Sequence, residues 1–195
     1  MINLNKKCNL SNNARNYIND FRKILEDMIS EMTNAELTDS ISHNFIVQMI
    51  PHHCAAIEMS KNVLKYTTNI ALERIASNII TDQTQSIENM EKIKNECSLL
   101  CNSHHDLCKY NKDFESITNV MFAQMSNSLV TNNININFIS ERIPHHRGAI
   151  QMSNNALKYD ICSELKPMLY AIIKSQREEI KQMQCLFNRL KRHNF

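Results

Sequence analysis

Residues 44–66 read NFIVQMIPHHCAAIEMSKNVLKY, and residues 137–159 read NFISERIPHHRGAIQMSNNALKY. Fifteen of these 23 positions are identical, which is far beyond chance for so short a stretch and makes the chain an internal duplication. The offset of 93 residues continues on both sides without a gap. Downstream, Leu72 matches Leu165, Ile79 matches Ile172, Gln83 matches Gln176, Ile87 matches Ile180 and Met90 matches Met183. Upstream, Tyr17, Asp20 and Phe21 match Tyr110, Asp113 and Phe114, and Cys8 falls opposite Cys101. Two copies of one unit follow, about 8–100 and 101–193, within a single domain spanning 1–195.

Each unit reads as three helices, about six in all. Tyr17, Phe21, Ile24, Met28 and Met32 recur at three- and four-residue spacing, the period of one helix face. Residues 33–42 read as a connection, in which Thr38, Asp39 and Ser40 offer N-caps. A second helix carries two apolar rows through Phe45–Met49–His52–Ala56–Met59 and Ile46–Ile50–His53–Ile57. A third, from about Ile70, presents Leu72, Ile75, Ile79, Gln83, Ile87, Met90 and Ile93. With one Gly and three Pro in 195 residues, there are few places for tight β-turns. The fold class is all-α, and antiparallel helices with broad apolar faces bury them in a bundle. Pro51 and Pro144 either kink their helices or begin them, and the spacing leaves that open.

Composition narrows the function. The net charge of +2 is near zero and the Lys and Arg residues are scattered, so no stripe marks a nucleic-acid or anionic-membrane surface. No run reaches the roughly 18 apolar residues of a membrane span, and the polar start MINLNKKCNLSNN lacks the apolar core of a signal peptide. The expected location is cytoplasmic. Seven Cys residues in a reducing cytosol are expected as thiols. The single Gly excludes a phosphate-binding loop, and no Ser-His-Asp set is present, so a catalyst is not expected.

The chemistry lies in His52-His53 and His145-His146. Adjacent helical residues point about 100° apart, which leaves open whether both of a pair reach one site. His52 shares a face with Met49 and Met59 at offsets of three and seven. A lone histidine on an apolar face is usually a hydrogen-bonded core residue. Four of them, in duplicated pairs beside methionine, favour metal binding. Imidazole with thioether suits Cu(I), while imidazole alone also suits Cu(II), Ni or Zn. Carboxylates are missing from the stripe: Glu58 falls on the Cys54–Lys61 side, and no Glu-x-x-His pair occurs, which disfavours di-iron chemistry. Gln83 and Gln176 sit in the apolar stripe of the third helices, where a histidine N–H, a backbone group or water would have to satisfy them. Met90 and Met183 read as core.

The segments IPHHCAAIEMS and IPHHRGAIQMS, each followed by Gln-x-x-x-Ile-x-x-Met, resemble the DUF305 family. That resemblance covers roughly residues 40–190. It implies a ferritin-like four-helix core made from the pairs 43–98 and 137–190, and copper binding, with many relatives exported. By motif match it implies a metal site of Met49, His52, His53, Met59, His145, His146 and Met152. Arg142 departs from the pattern, standing where the first copy has Met49, and a cation pointing inward there weakens or abolishes the second site. Cys97, Cys101, His104, His105 and Cys108 fall along one face if helix continues through them, offering a further soft-metal site or an exposed link.

Two readings of function compete with a redox metalloenzyme behind them. In one the protein is a copper buffer, carrier or detoxification factor. In the other it is a structural module whose histidines bond across the bundle and whose flanking helices form a homodimer interface.

Overall fold

The computed structural model describes residues 10–192, which form six helices: α1 (Asn12–Thr33), α2 (Ile41–Leu64), α3 (Ile70–Cys97), α4 (His104–Ser126), α5 (Ile134–Ala156) and α6 (Leu165–Arg192). Cys8 lies outside the described residues. Side-chain oxygens set the starts of five helices. Ser11, Ser40, Asn69, Ser103 and Asn133 each accept a backbone N–H of the first turn. Ser40 was among the caps expected from the sequence. Its hydroxyl also donates to the carbonyl of Cys97 at 2.8 Å, tying the start of α2 to the end of α3.

Helices α2, α3, α6 and α5 form a ring in which each packs on the next, with α1 laid on α2 and α4 on α5. That arrangement follows from how much of each helix is apolar. On α1 the buried residues Tyr17, Ile18, Phe21, Leu25, Met28 and Met32 make one stripe, so one side is covered. Helix α2 is buried on nearly every side, polar residues Asn44, Ser60 and Asn62 included, because it meets α1, α3 and α5 together.

Contacts in the first three helices recur 93 residues on. Asn62 donates to the Tyr17 carbonyl at 3.0 Å, and Asn155 to the Tyr110 carbonyl at 3.0 Å. The Asn44 amide oxygen accepts from Thr38 N–H at 2.8 Å, and that of Asn137 from Thr131 N–H at 3.0 Å, closing the same loop twice. Tyr17 meets Tyr66 edge-on at 6.1 Å, as Tyr110 meets Tyr159 at 5.9 Å.

Both prolines lie inside unbroken helices, so neither marks a start. Each removes one N–H from the ladder, leaving the carbonyls of Val47 and Ser140 without their helical partner one turn before the histidines. The cysteine cluster differs more from expectation. Helix stops at Cys97 and restarts at His104, because Ser103 caps a new helix. Cys97 is buried and disulfide-bonded to Cys162, with Cα atoms 5.4 Å apart, which joins the end of α3 to the α5–α6 connection. Cys97 is therefore not a thiol, and the five residues share no face. Cys101, Cys108, His104 and His105 are exposed, and only His104 Nε2 and Cys108 Sγ approach, at 3.5 Å. Among the described residues, no helix is long and apolar enough to cross a membrane.

Candidate metal centre

All four histidines, each pair directly after its proline, lie in the middle of the ring. His52 and His53 on α2, and His145 and His146 on α5, are each at most 1% exposed. The two copies meet face to face: the rings of His52 and His145 stack with centroids 3.7 Å apart and planes at 27°. Both histidines of each pair reach the core, because both flanks of α2 and α5 are covered.

Hydrogen bonds fix where the protons sit. His145 Nε2 lies 3.2 Å from the carbonyl of His52, which can only accept, so that nitrogen carries the proton and Nδ1 holds a free lone pair. Nδ1 of His145 is buried without a partner, as are Nδ1 of His53 and both ring nitrogens of His52. Burial holds His52, His145 and His146 well below the usual histidine range, and holds His53 at about 3, with neighbouring His146 and Arg142 adding to it. The imidazoles are neutral, the form that donates a lone pair to a metal.

Arg142 points inward and is fully buried. One guanidinium nitrogen donates to Met59 Sδ at 3.6 Å and another to His146 Nδ1 at 3.4 Å. His146 Nε2 lies 2.6 Å from a Glu179 oxygen, within ion-pair distance though not aligned as a hydrogen bond. Met59 and His146, both expected as ligands, are thus engaged by the arginine. Residues 93 positions from the trio Arg142, Met59 and His146 are Met49, Met152 and His53. All three of these are buried, and none of the three positions holds a Lys or Arg.

The core nonetheless holds carboxylates outside the histidine–methionine stripe. Glu141 and Glu179 are both buried there. Tyr17 donates its hydroxyl proton to Glu141. Burial raises Glu141 to about 8 and Glu179 to about 7, against the opposing pull of Arg142 on both and of the Tyr17 hydrogen bond on Glu141. Burial in turn lowers Arg142 to about 10, opposed by Glu179, Tyr17 and Glu141. Glu58, by contrast, is exposed and paired with Lys61, as the sequence indicates.

A family model described as a domain of unknown function, DUF305, matches residues 21–94 and 42–187. The chain belongs to the DUF305 family. No curated protein sequence matches it. Solved structures of CopM resemble this DUF305 chain. The silver-bound form, obtained by soaking, is 27% identical with a TM-score of 0.57, covering 78% of this chain and 96% of that one. The Cu(I)-bound form is 26% identical with a TM-score of 0.56, covering 80% and 99%. A DUF305 fragment from Deinococcus radiodurans, 20% identical with a TM-score of 0.55 over 76% of this chain and 96% of that one, shares the fold.

The histidine motif alone leaves several features of this DUF305 core unread. Among the described residues, no three His, Cys, Asp or Glu side chains converge in an arrangement that could hold a metal. Glu179 was legible, since Ile172, Gln176, Glu179 and Met183 recur at helical spacing on one stripe. Glu141 was not, because its counterpart is Gln48 and its oxygens are satisfied by Tyr17 on another helix. The two stripe glutamines are buried, but Gln83 Oε1 and both amide atoms of Gln176 lack hydrogen bonds, so they do not orient the histidines by direct contact.

Proposed function

We propose that this chain binds one soft metal ion, Cu(I) in its natural setting, in the core of a ferritin-like four-helix bundle, and acts as a buffer, carrier or detoxification factor without turnover. The ion is cargo. His52, His53 and His145 supply lone pairs, Met49 and Met152 supply thioethers, and Arg142 withholds Met59 and His146 from a second site. The observation that carries the reading is the set of buried ring nitrogens on His52, His53 and His145 that have no partner. Leaving them so is costly, and a metal satisfies them without a proton. Loading then requires the stacked rings of His52 and His145 to part, because their nitrogens do not converge in this state. The CopM neighbours, in Cu(I)-, Cu(II)- and silver-bound forms, support a soft ion over zinc or nickel. Every sulfur and nitrogen donor in this set is a binding group, and none leaves an evident place for a substrate.

The competing reading, a structural bundle, draws on the His145–His52 hydrogen bond and on the absence of converged donors. Titration with Cu(I) against a coloured chelator separates the two, once the exposed thiols have been alkylated. Tight uptake of one ion per chain is expected. His52→Ala with His53→Ala should abolish it while helicity persists. Uptake unchanged in that double variant, or no uptake by the parent, sinks the proposal.

A further inference from the structure

The histidine core is sealed on most sides, yet an ion that is cargo has to enter and leave. A cleft of about 320 Å³ runs between α3 and α6 and reaches His53. At roughly 30 Å³ per water, it has room for a partly hydrated ion. Its walls carry Asp82, Gln83 and Ser86 from α3, and Ser175 and Gln176 from α6. These polar groups, alongside Met168, Ala171 and Ile172, interrupt a helix pair that otherwise buries Leu72, Ile79 and Leu165.

Three observations distinguish the cleft from an accidental gap. Gln83 and Gln176 are 3% and 1% exposed, yet Gln83 Oε1 and both amide atoms of Gln176 have no hydrogen-bond partner. Polar atoms buried in that condition are rare and call for an explanation. The residues are also graded along the cleft: Asp82 is exposed, Ser86 and Ser175 are half-buried, the glutamines are buried, and His53 Nδ1 is buried and unpartnered. The clefts beside α1 and α4 reach Glu141 and Gln48 instead, and neither includes a histidine.

We infer that the α3–α6 cleft is the passage by which the ion enters and leaves the core, with the Gln83 and Gln176 amides as intermediate ligands and His53 as the first imidazole. The inference rests on the proposed binding of an ion in the core. Amide oxygens hold a soft ion weakly, which suits groups that must receive it from water and release it to imidazole. The carboxylate of Asp82 at the mouth draws cations toward it.

A passage that does not touch the bound ion alters both rate constants by one factor and leaves the equilibrium alone. Ser86→Phe and Ser175→Phe narrow the cleft from opposite helices, so a folding failure of one leaves the other as the test. Helicity and thermal melting establish that each is folded. Protein with its exposed thiols alkylated is loaded with Cu(I) in ascorbate, and transfer to excess coloured chelator is followed with time. The expected result is uptake and release both slowed at least tenfold, with Kd within twofold of the parent. Ser128→Phe, in the cleft beside α1, should leave both rates unchanged. Folded plugged variants that exchange Cu(I) at the parental rate would overturn the passage while leaving the binding site intact. A parent that takes up no Cu(I) would instead sink the reading on which the passage rests.

Discussion

Replacing Arg142 by methionine tests how one buried cation sets the number of ions that the core can hold. The arginine nitrogens sit 3.6 Å from Met59 Sδ and 3.4 Å from His146 Nδ1. A metal held by that imidazole at about 2.0 Å and that thioether at about 2.3 Å would lie in the space the guanidinium fills, taking zinc distances as a guide. Two unit charges held about 4 Å apart repel by about 4 kcal/mol at an effective dielectric constant of about 20. That is a factor of about 10³ in Kd. Arg142→Met removes the repulsion, frees Met59 and His146, and restores the thioether that Met49 provides in the first copy. The variant should therefore bind a second Cu(I) about 10³-fold more tightly than the parent does, and saturate at two ions per chain instead of one. It should also stay folded, provided that the carboxylates facing the lost cation are neutralised and leave no unpaired buried charge. Glu141 and Glu179, already raised to about 8 and about 7, can take up protons when the arginine is gone. Chelator competition gives the stoichiometry and urea unfolding gives the stability. A folded variant that still saturates at one ion, or a parent that binds two equally well, would refute the reasoning.

Stability of the metal-free protein should depend on pH with a maximum near about pH 6–6.5. The depressed histidines contribute stability that is present above about 6.5 and lost as pH falls toward the folded value, about 3 for His53. The raised carboxylates act oppositely: their contribution is present below about 4.5 and lost as pH rises through about 7 and about 8. Four histidine protons against two carboxylate protons leave a decline of roughly 2.7 kcal/mol per pH unit on the acid side, which urea midpoints at several pH values will check. Removing the disulfide with Cys97→Ser and Cys162→Ser should lower the unfolding free energy by about 4 kcal/mol, given a sequence separation of 65 residues. A loss below about 1 kcal/mol would show that the α3–α6 end is held by other contacts.

The helical periods carried most of the all-α fold, because they are local in the sequence. Ser40 was identifiable as a cap since its hydroxyl acts within its own helix turn. The cysteine pairing was not, because Cys97 and Cys162 match Leu190 and Asn69 in the other copy, and no repeat logic joins them. The histidine pairs and their methionines stood out in the sequence because imidazoles and thioethers interrupt an otherwise apolar stripe. Glu141 was hidden: which flank of α5 is covered depends on α1, a contact between residues 124 apart. The inward course of Arg142 was posed by the sequence as a condition and settled by packing. Its long side chain finds Met59 and His146 as acceptors, and Glu141 and Glu179 supply opposite charge nearby. The glutamines were recognised as out of place in their stripe, but their relation to the cleft needs α3 and α6 side by side.

The most direct test of the central claim is X-ray absorption at the copper edge on Cu(I)-loaded protein whose exposed thiols have been alkylated. The expected spectrum is that of Cu(I) in a mixed shell, with nitrogen at about 2.0 Å and sulfur at about 2.3 Å, and imidazole scattering beyond it. In His52→Ala with His53→Ala, that imidazole signal should disappear. A shell of sulfur alone, or of oxygen, unchanged by the double substitution, would place the ion outside the histidine core and contradict the account.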